Sequence, residues 1–404
     1  MPLRLPALRI AALLLATLIA AHAWAAEFID SAGRRVALPN YINRVMAANA
    51  PAAVLIFALT PQKLVGWCEP LSRAQRAYLP AKYGRLPAVG CLYGPYPSAT
   101  AATVARLHPD LVIASGEITP QAVAFADYIQ QQTRIPYILI DGSIQRTPAM
   151  LTEIGTILGA GDHRLEVASY AFHAIQGLRG QLLIQSPVGR PLVYYGRGPD
   201  GLEAGGAGSL AMANIDQAGV INVAARLGPG TPRRVTRAQV FAWNPDIVIA
   251  QQRSFYNELL HDPGWRGLAA VRKKEVYLAP ADPFGWIDDP AGVNRMVGLY
   301  WLSSLFYPDA YQQDLRSTVR EFYQTFYGVQ LSDRAVEALV RPAESRKSAN
   351  ARGPNVPIYG AEPPPLPELG PNPAPGAAPP LPPATPPGRG SLRSAPNAPP
   401  AQHY

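Results

Sequence analysis

Apolar residues along this chain follow two alternating patterns, one extended and one helical. Short runs that are apolar throughout, such as Leu111–Ala114, Tyr137–Ile140 and Pro191–Tyr195, predict strands buried on both faces. Between them, apolar residues three or four positions apart predict helices. Strands of this kind that alternate with helices are typical of parallel sheets covered by helices. The pattern therefore predicts an α/β fold with mainly parallel sheets.

One short phrase occurs twice in the sequence. Residues 104–114 read VARLHPDLVIA and residues 240–250 read VFAWNPDIVIA. Each copy predicts a helix, a tight turn at the Pro-Asp pair and a buried strand. A single copy would reflect turn chemistry alone, but two copies in register indicate two lobes of like construction.

A long helical stretch, Gly161–Ser186, lies between the two copies. Its apolar residues recur three or four positions apart, at Leu165, Ala168, Phe172, Ile175, Leu178 and Leu182. These positions predict one face of a helix roughly 33 Å long, buried against each lobe in turn. We therefore predict an N-terminal lobe at residues 26–160, a connecting helix at 161–186 and a C-terminal lobe at 187–341.

Both ends of the chain are predicted to lie outside this two-lobed body. Residues 1–25 combine two early arginines, the apolar run Ile10–Ala21 and a small-residue cleavage site, Ala-Trp-Ala, which together indicate a secretory signal peptide. The apolar run is too short to span a membrane, and no cysteine lies near the cleavage site to make a lipoprotein. Residues 342–404 are rich in proline and predict a disordered tail. We expect an exported protein of the periplasm.

Charge and motif content argue against nucleic-acid binding and catalysis. The net charge of +8 is spread without runs of lysine or arginine, so the sequence carries no nucleic-acid footprint. It has no G-x-S-x-G motif and no metal-binding pair of histidines. Residues 196–201 match G-x-G-x-x-G and Asp216 follows, but Pro199 disfavours the helix start that a dinucleotide site needs. We predict a non-enzyme without metal ion or cofactor, and an NAD-type enzyme is a remote alternative.

The doubled phrase and two later segments resemble one family of transport proteins. The segments are Asp262–Pro280, which reads DPGWRGLAAVRKKEVYLAP, and Pro283–Asp309. They are similar to the substrate-binding proteins of ABC importers for metal chelates, such as ferric siderophores and vitamin B12, over roughly Glu27–Tyr327. The resemblance implies two α/β lobes joined by a rigid helix, with a ligand cleft between them. It also implies a monomer in the periplasm that delivers its ligand to a permease in the inner membrane.

In such a fold the ligand site lies where the carboxyl ends of the strands face each other. Arginines at these ends would bind the oxygens of an anionic chelate, and aromatic rings would cover its organic part. We expect an iron-siderophore-like chelate, with haem, cobalamin or another metal complex as alternatives. The residues that follow the strands are Tyr93, Tyr96 and Glu117 in the first lobe, and Arg197, Arg253 and Trp286 in the second.

Two cysteines, Cys68 and Cys91, follow short predicted strands of the first lobe. An even number of cysteines in an exported protein favours a disulfide. Paired thiolates on a metal ion are the alternative, but no histidine or third cysteine accompanies them. We therefore predict a disulfide at the rim of the cleft.

Members of the resembled family carry one glutamate on each lobe that docks onto arginines of the permease. The matching positions in this sequence are Ala102 and Ala238. The resemblance thus implies that both docking acids are missing, and that other residues serve in docking. An envelope interaction protein that has lost permease docking is the alternative.

Overall fold

The computed structural model describes residues 26–94, 96–184, 190–311 and 313–340. The predicted signal peptide, the predicted proline-rich tail and the predicted end of the connecting helix at residues 185–186 lie outside this part of the chain. No helix within it is long and apolar enough to cross a membrane.

The N-terminal lobe is built on a parallel sheet of three strands. The strands of the whole lobe are β1 (Ala26–Ile29), β2 (Arg35–Leu38), β3 (Val45–Ala47), β4 (Leu111–Gly116) and β5 (Tyr137–Asp141). Its helices are α1 (Ala50–Leu59), α2 (Arg73–Ala77), α3 (Ala81–Gly84), α4 (Ala101–Leu107), α5 (Pro120–Thr133) and α6 (Thr147–Ile157). The parallel sheet has the order β3-β4-β5, and β1 and β2 form a separate antiparallel pair.

The connecting helix α7 (His163–Ile184) leads to a second parallel sheet in the C-terminal lobe. The strands there are β6 (Leu192–Gly196), β7 (Glu203–Ala204), β8 (Ile221–Asn222), β9 (Arg233–Arg234), β10 (Ile247–Ala250) and β11 (Val276–Leu278). The helices are α8 (Ala213–Gln217), α9 (Arg237–Trp243), α10 (Arg253–His261), α11 (Ala269–Arg272), α12 (Arg295–Phe306) and α13 (Leu315–Tyr327). The sheet order is β11-β10-β6-β8, and all its neighbours are parallel.

These sheets confirm the predicted α/β fold, and the doubled phrase explains how each one is aligned. The turn residues His108 and Asn244 end α4 and α9 in the left-handed conformation, with φ of 45° and 43°. The aspartate two positions later accepts a hydrogen bond from the backbone at the start of a neighbouring strand. Asp110 accepts from Arg44 N at 2.9 Å, and Asp246 accepts from Leu192 N at 3.0 Å. The repeated aspartates therefore set strand alignment in both lobes.

The predicted apolar face of α7 is confirmed in part, since Ala168, Ile175 and Leu178 are buried. Leu165 and Phe172 are 49 % and 51 % exposed, whereas Ala171 and Ala174 are almost fully buried. Helices α6, α12 and α13 pack against α7, and small side chains at the contact let helix axes approach closely. The buried face is therefore rotated from the predicted one: it keeps Ala168, Ile175 and Leu178, excludes Leu165 and Phe172, and includes Val167 and Tyr170.

A single apolar core passes through both lobes. It contains one face of each parallel sheet together with residues of α1, α6, α7, α12 and α13. Every residue of α12 is buried. Two smaller clusters cover the opposite faces of the two sheets. Because a close-packed interior resists deformation, the shared core holds the lobes as a rigid frame around the ends of the strands.

Candidate functional site

The carboxyl ends of the two parallel sheets lie on either side of residues 279–294, which we call the floor segment. Gln75 of the N-terminal lobe donates a hydrogen bond from Nε2 to the Pro283 carbonyl at 3.0 Å. The rings of Trp67 and Phe284 pack with their centroids 5.5 Å apart. The floor segment therefore closes the base of the cleft between the lobes and brings its polar side chains to the strand ends.

Asp288 of the floor segment is a buried carboxylate that ties the strand ends of the C-terminal lobe together. It is 5 % exposed and accepts hydrogen bonds from three side chains. The donors are Tyr195 Oη at 2.5 Å, Arg197 Nε at 2.5 Å and Gln251 Nε2 at 3.0 Å. Burial, and then the charge of Asp288, raise the pKa of Tyr195 well above its usual value, so the phenol remains a donor.

Arg197 directly follows β6, and the side chains around it fix its guanidinium at the edge of the cleft. Besides the bond to Asp288, its Nη1 lies 3.4 Å from a Glu203 carboxylate oxygen. Its side chain keeps 19 % of its surface exposed. Burial alone would lower the pKa of Arg197, but Asp288, Tyr195 and Asp289 together raise it. Arg197 is therefore a charged, oriented donor that solvent, and thus a ligand, can reach.

Arg295, the first residue of α12, connects the floor segment to the other lobe. Its side chain donates from Nη2 to the Gly142 carbonyl at 2.5 Å, just beyond β5, and from Nε to the Gly292 carbonyl at 3.1 Å. The residue is 2 % exposed. Burial lowers its pKa to about 10, against the opposing effect of Asp288 and Asp141. A buried positive charge thus lies under the cleft where strands of both lobes end.

Several acids also border the cleft. The pKa of Asp289 is raised, first by desolvation and then by Asp288 and Glu69, while Arg197 acts in the opposite direction. Desolvation also raises the pKa of Asp282, and the exposed Arg253 opposes that shift. The cleft therefore contains both signs of charge, and its field changes with the protonation of Asp289.

Comparison with known proteins identifies the family. The sequence profile described as "Periplasmic binding protein" matches residues 82–283, half of the chain. The chain belongs to the periplasmic binding protein family. The resemblance inferred from the doubled phrase is thus confirmed.

Individual relatives agree with this assignment. The molybdate-binding protein MolA of Haemophilus influenzae is 32 % identical over 136 residues, which cover 33 % of this chain and 38 % of that relative. A solute-binding protein of an ABC transporter from Sulfurospirillum deleyianum superposes with a TM-score of 0.69 at 24 % identity, over 78 % of this chain and 99 % of that one. The molybdate-bound structure of MolA gives 0.64 at 21 % identity, over 76 % and 99 %. At these identities the superpositions show the shared two-lobed fold.

The structure of this periplasmic binding protein corrects one expected site residue. Trp286 was expected to line the cleft, but it is fully buried in the core. Its carbonyl accepts a hydrogen bond from Asn214, and a side chain at Gly298 would collide with the same carbonyl. Trp286 therefore supports the floor segment from beneath and offers no ring face to a ligand.

The other expected residues lie at different depths. Tyr93 is half-buried with its ring packed on Phe125, their centroids 5.4 Å apart. Tyr96 is 80 % exposed, and Glu117 is also exposed. Arg253 is exposed at the start of α10, where its charge reaches Asp282. It remains a prediction that these four residues and Arg197 line a ligand site. Of the five, Arg197 is the one hydrogen-bonded to Asp288.

The sequence interpretation missed Asp288 and Arg295, although a signal for both was present. Asp288 is the first of two acids that directly follow the largely apolar segment Phe284–Ile287. Arg295 is the one charged residue of an otherwise uncharged helix. Charged side chains in an apolar segment are seldom buried without a partner or a function. That rule selects the two residues without any knowledge of the fold.

The disulfide expected in the first lobe is present between Cys68 and Cys91, whose Cα atoms are 4.7 Å apart. The adjacent bridge between Trp67 and Ala88 brings the two short extended segments side by side. Leu92, the next residue, donates from its backbone to the carbonyl of Ala48 just after β3. The disulfide thus anchors the loop that carries Tyr93 and Tyr96. Among the described residues, no group of three or more His, Cys, Asp or Glu side chains is arranged to hold a metal ion.

Proposed function

We propose that this protein is the periplasmic receptor of an ABC importer and that its cargo is an anionic, oxygen-rich metal species. The observation that carries the proposal is the guanidinium of Arg197, held by Asp288 at the end of β6 and still reached by solvent. A planar guanidinium fixed in this way binds anionic oxygens with well-defined geometry. A receptor binds its ligand without converting it, so a preformed binding group is the feature that it requires.

Within this class a compact metal oxyanion is favoured over a bulky siderophore chelate. An organic chelate is expected to require aromatic faces, yet Trp286 lies in the core and Tyr93 packs on Phe125. The similarity to a molybdate-binding protein supports the same preference. We therefore propose molybdate or a like oxyanion as the first candidate and the ferric siderophore-like chelate as the second.

Delivery would require a permease in the inner membrane. The family and the predicted signal peptide support export to the periplasm. Ala102 and Ala238 are exposed at matching positions in the first turns of α4 and α9, so both are open to a partner and neither offers a charge. We propose that other residues of these surfaces contact the permease.

The test is ligand binding by the mature protein, measured by calorimetry at fixed ionic strength. Molybdate, tungstate, sulfate, a ferric catecholate siderophore, haem and cobalamin are titrated in turn. We expect a metal oxyanion to bind with Kd below about 1 µM. Arg197→Met should weaken that binding by about tenfold or more, since it removes a charge-assisted hydrogen bond. The matched control Arg266→Met alters an exposed arginine of the same lobe and should leave Kd unchanged.

Two results would contradict the proposal. One is the absence of binding by every anionic ligand at micromolar concentrations. The other is preferential binding of cobalamin over every metal oxyanion. Tight binding of the ferric siderophore alone would keep the receptor function and reverse the order of the two candidate ligands.

A further inference from the structure

The helix under the cleft contains one charged side chain in an otherwise uncharged and fully buried setting. That residue is Arg295, and the other residues of α12 are apolar, small or hydroxyl-bearing. A charge removed from water is stable only with close partners. Within the described residues, however, Arg295 forms no ion pair at salt-bridge distance; its closest partners are backbone carbonyls.

The hydrogen bonds of Arg295 involve two of its three side-chain nitrogens. Nε donates to the Gly292 carbonyl at 3.1 Å and Nη2 donates to the Gly142 carbonyl at 2.5 Å. Nη1 is buried and has no hydrogen-bond partner among the described residues. Buried donors are nearly always paired, so an unpaired one on a charged group calls for an explanation. Ligand binding provides one.

The guanidinium of Arg295 lies beside the ends of β4 and β5, and α/β folds bind their ligands at such strand ends. Gly142 follows β5 and lies against Gly116, the last residue of β4, so closely that a Cβ on Gly142 would be 3.0 Å from the Gly116 Cα. The ends of β4 and β5 therefore meet beside the carbonyl that accepts the hydrogen bond from Arg295. The carboxylates of Asp288 and Asp141 are near enough to act on its charge. Asp288 is the same group that holds Arg197.

We propose that Arg295 is a second anion-binding donor of this cleft, with Nη1 contacting the ligand that Arg197 also meets. The inference rests on the proposed function and adds the origin of its charge selectivity. Two guanidiniums, one at the strand end of the C-terminal lobe and one on the floor, can bind different oxygens of a single oxyanion. Part of the charge of Arg295 is balanced by Asp288 and Asp141, and an anion supplies the remaining partner.

The test compares molybdate binding by the wild type, Arg295→Lys and Arg295→Met. We expect Arg295→Met to lose about 30-fold or more in affinity, and Arg295→Lys to lose less because it keeps the charge without the guanidinium geometry. Each variant is also melted with and without molybdate. A purely structural role would lower the melting temperature of the free protein and leave the ligand-induced shift intact, whereas a ligand contact reduces that shift.

A milder variant keeps the test decisive if Arg295→Met does not fold. Asp141→Asn preserves an acceptor for the Ser143 backbone and removes a carboxylate that balances Arg295. We expect molybdate affinity to rise by about threefold or more. The exposed Asp127→Asn, on the outer helix α5, is the matched control and should not change it.

The outcomes separate this inference from the proposed function. If the wild type binds molybdate and the variants at Arg295 and Asp141 bind it with unchanged affinity and unchanged ligand-induced shifts, the role of Arg295 is overturned while the receptor function stands. If the wild type binds no anion, both are overturned. Loss of affinity in Arg295→Met or Arg295→Lys, together with the gain in Asp141→Asn, supports the proposal.

Discussion

Replacing Asp288 by alanine should strongly destabilise the protein, because one buried carboxylate serves three donors. Tyr195 and Arg197 both lie 2.5 Å from its oxygens and Gln251 lies at 3.0 Å. Its side chain is 2 % exposed and that of Arg197 is 19 % exposed, so solvent replaces these bonds poorly. Removing one partner of a buried ion pair costs about 3–5 kcal/mol. Asp288→Asn keeps the shape and one acceptor, and should cost about 1–3 kcal/mol.

Chemical unfolding followed by tryptophan fluorescence measures the free energy of unfolding of each variant. We expect Asp288→Ala to lower the melting temperature as well, by about 10 °C. Asp309→Ala is the matched control: it removes an exposed carboxylate, and should change stability by less than about 0.5 kcal/mol. A loss below about 1 kcal/mol in Asp288→Ala would refute the view that this carboxylate organises the strand ends.

Three further predictions concern the cleft, the disulfide and the connecting helix. Because desolvation raises the pKa of Asp289 and its protonation removes a negative charge that acts on Arg197, molybdate should bind more tightly as the pH falls below neutral; calorimetry should show a flatter pH dependence in Asp289→Asn. Reducing the bond between Cys68 and Cys91, which are 23 residues apart, should cost about 3 kcal/mol of unfolding free energy in denaturant titrations. In the same assay Leu178→Ala should cost about 2–5 kcal/mol and the half-exposed Leu165→Ala less than about 1 kcal/mol, and equal losses would contradict the observed packing of the helix.

The features that the sequence predicted well are governed by local chemistry. The doubled phrase ends each helix at a residue able to adopt the left-handed conformation, His108 or Asn244. It then places an aspartate where its carboxylate accepts a backbone hydrogen bond from a neighbouring strand, at Asp110 and Asp246. These requirements act over a few residues, so they can be read from the residues themselves. The fold class followed from recognising them twice.

The candidate site was predicted less well because the path of a long loop is set by packing. Arg197 directly follows β6, so the end of the strand fixes its position. Trp286 comes eight residues after Leu278, the last residue of β11. The loop between them is long enough to direct the ring of Trp286 into the core. Asn214 and Gly298, both distant in sequence, receive it there. No local rule contains that information.

The same long-range packing links the rigidity of the frame to the mode of ligand capture. The core runs through both sheets and through α12, and Arg295 at the start of that helix is bonded to Gly142 in the opposite lobe. Opening the lobes widely would break this bond and expose apolar surface of the shared core, so only small movements are inexpensive. Affinity must then come from groups already in position before the ligand arrives. Arg197 satisfies this condition because its hydrogen bond to Asp288 orients it, and therefore selectivity should depend on the fixed charges of the cleft more than on its closure.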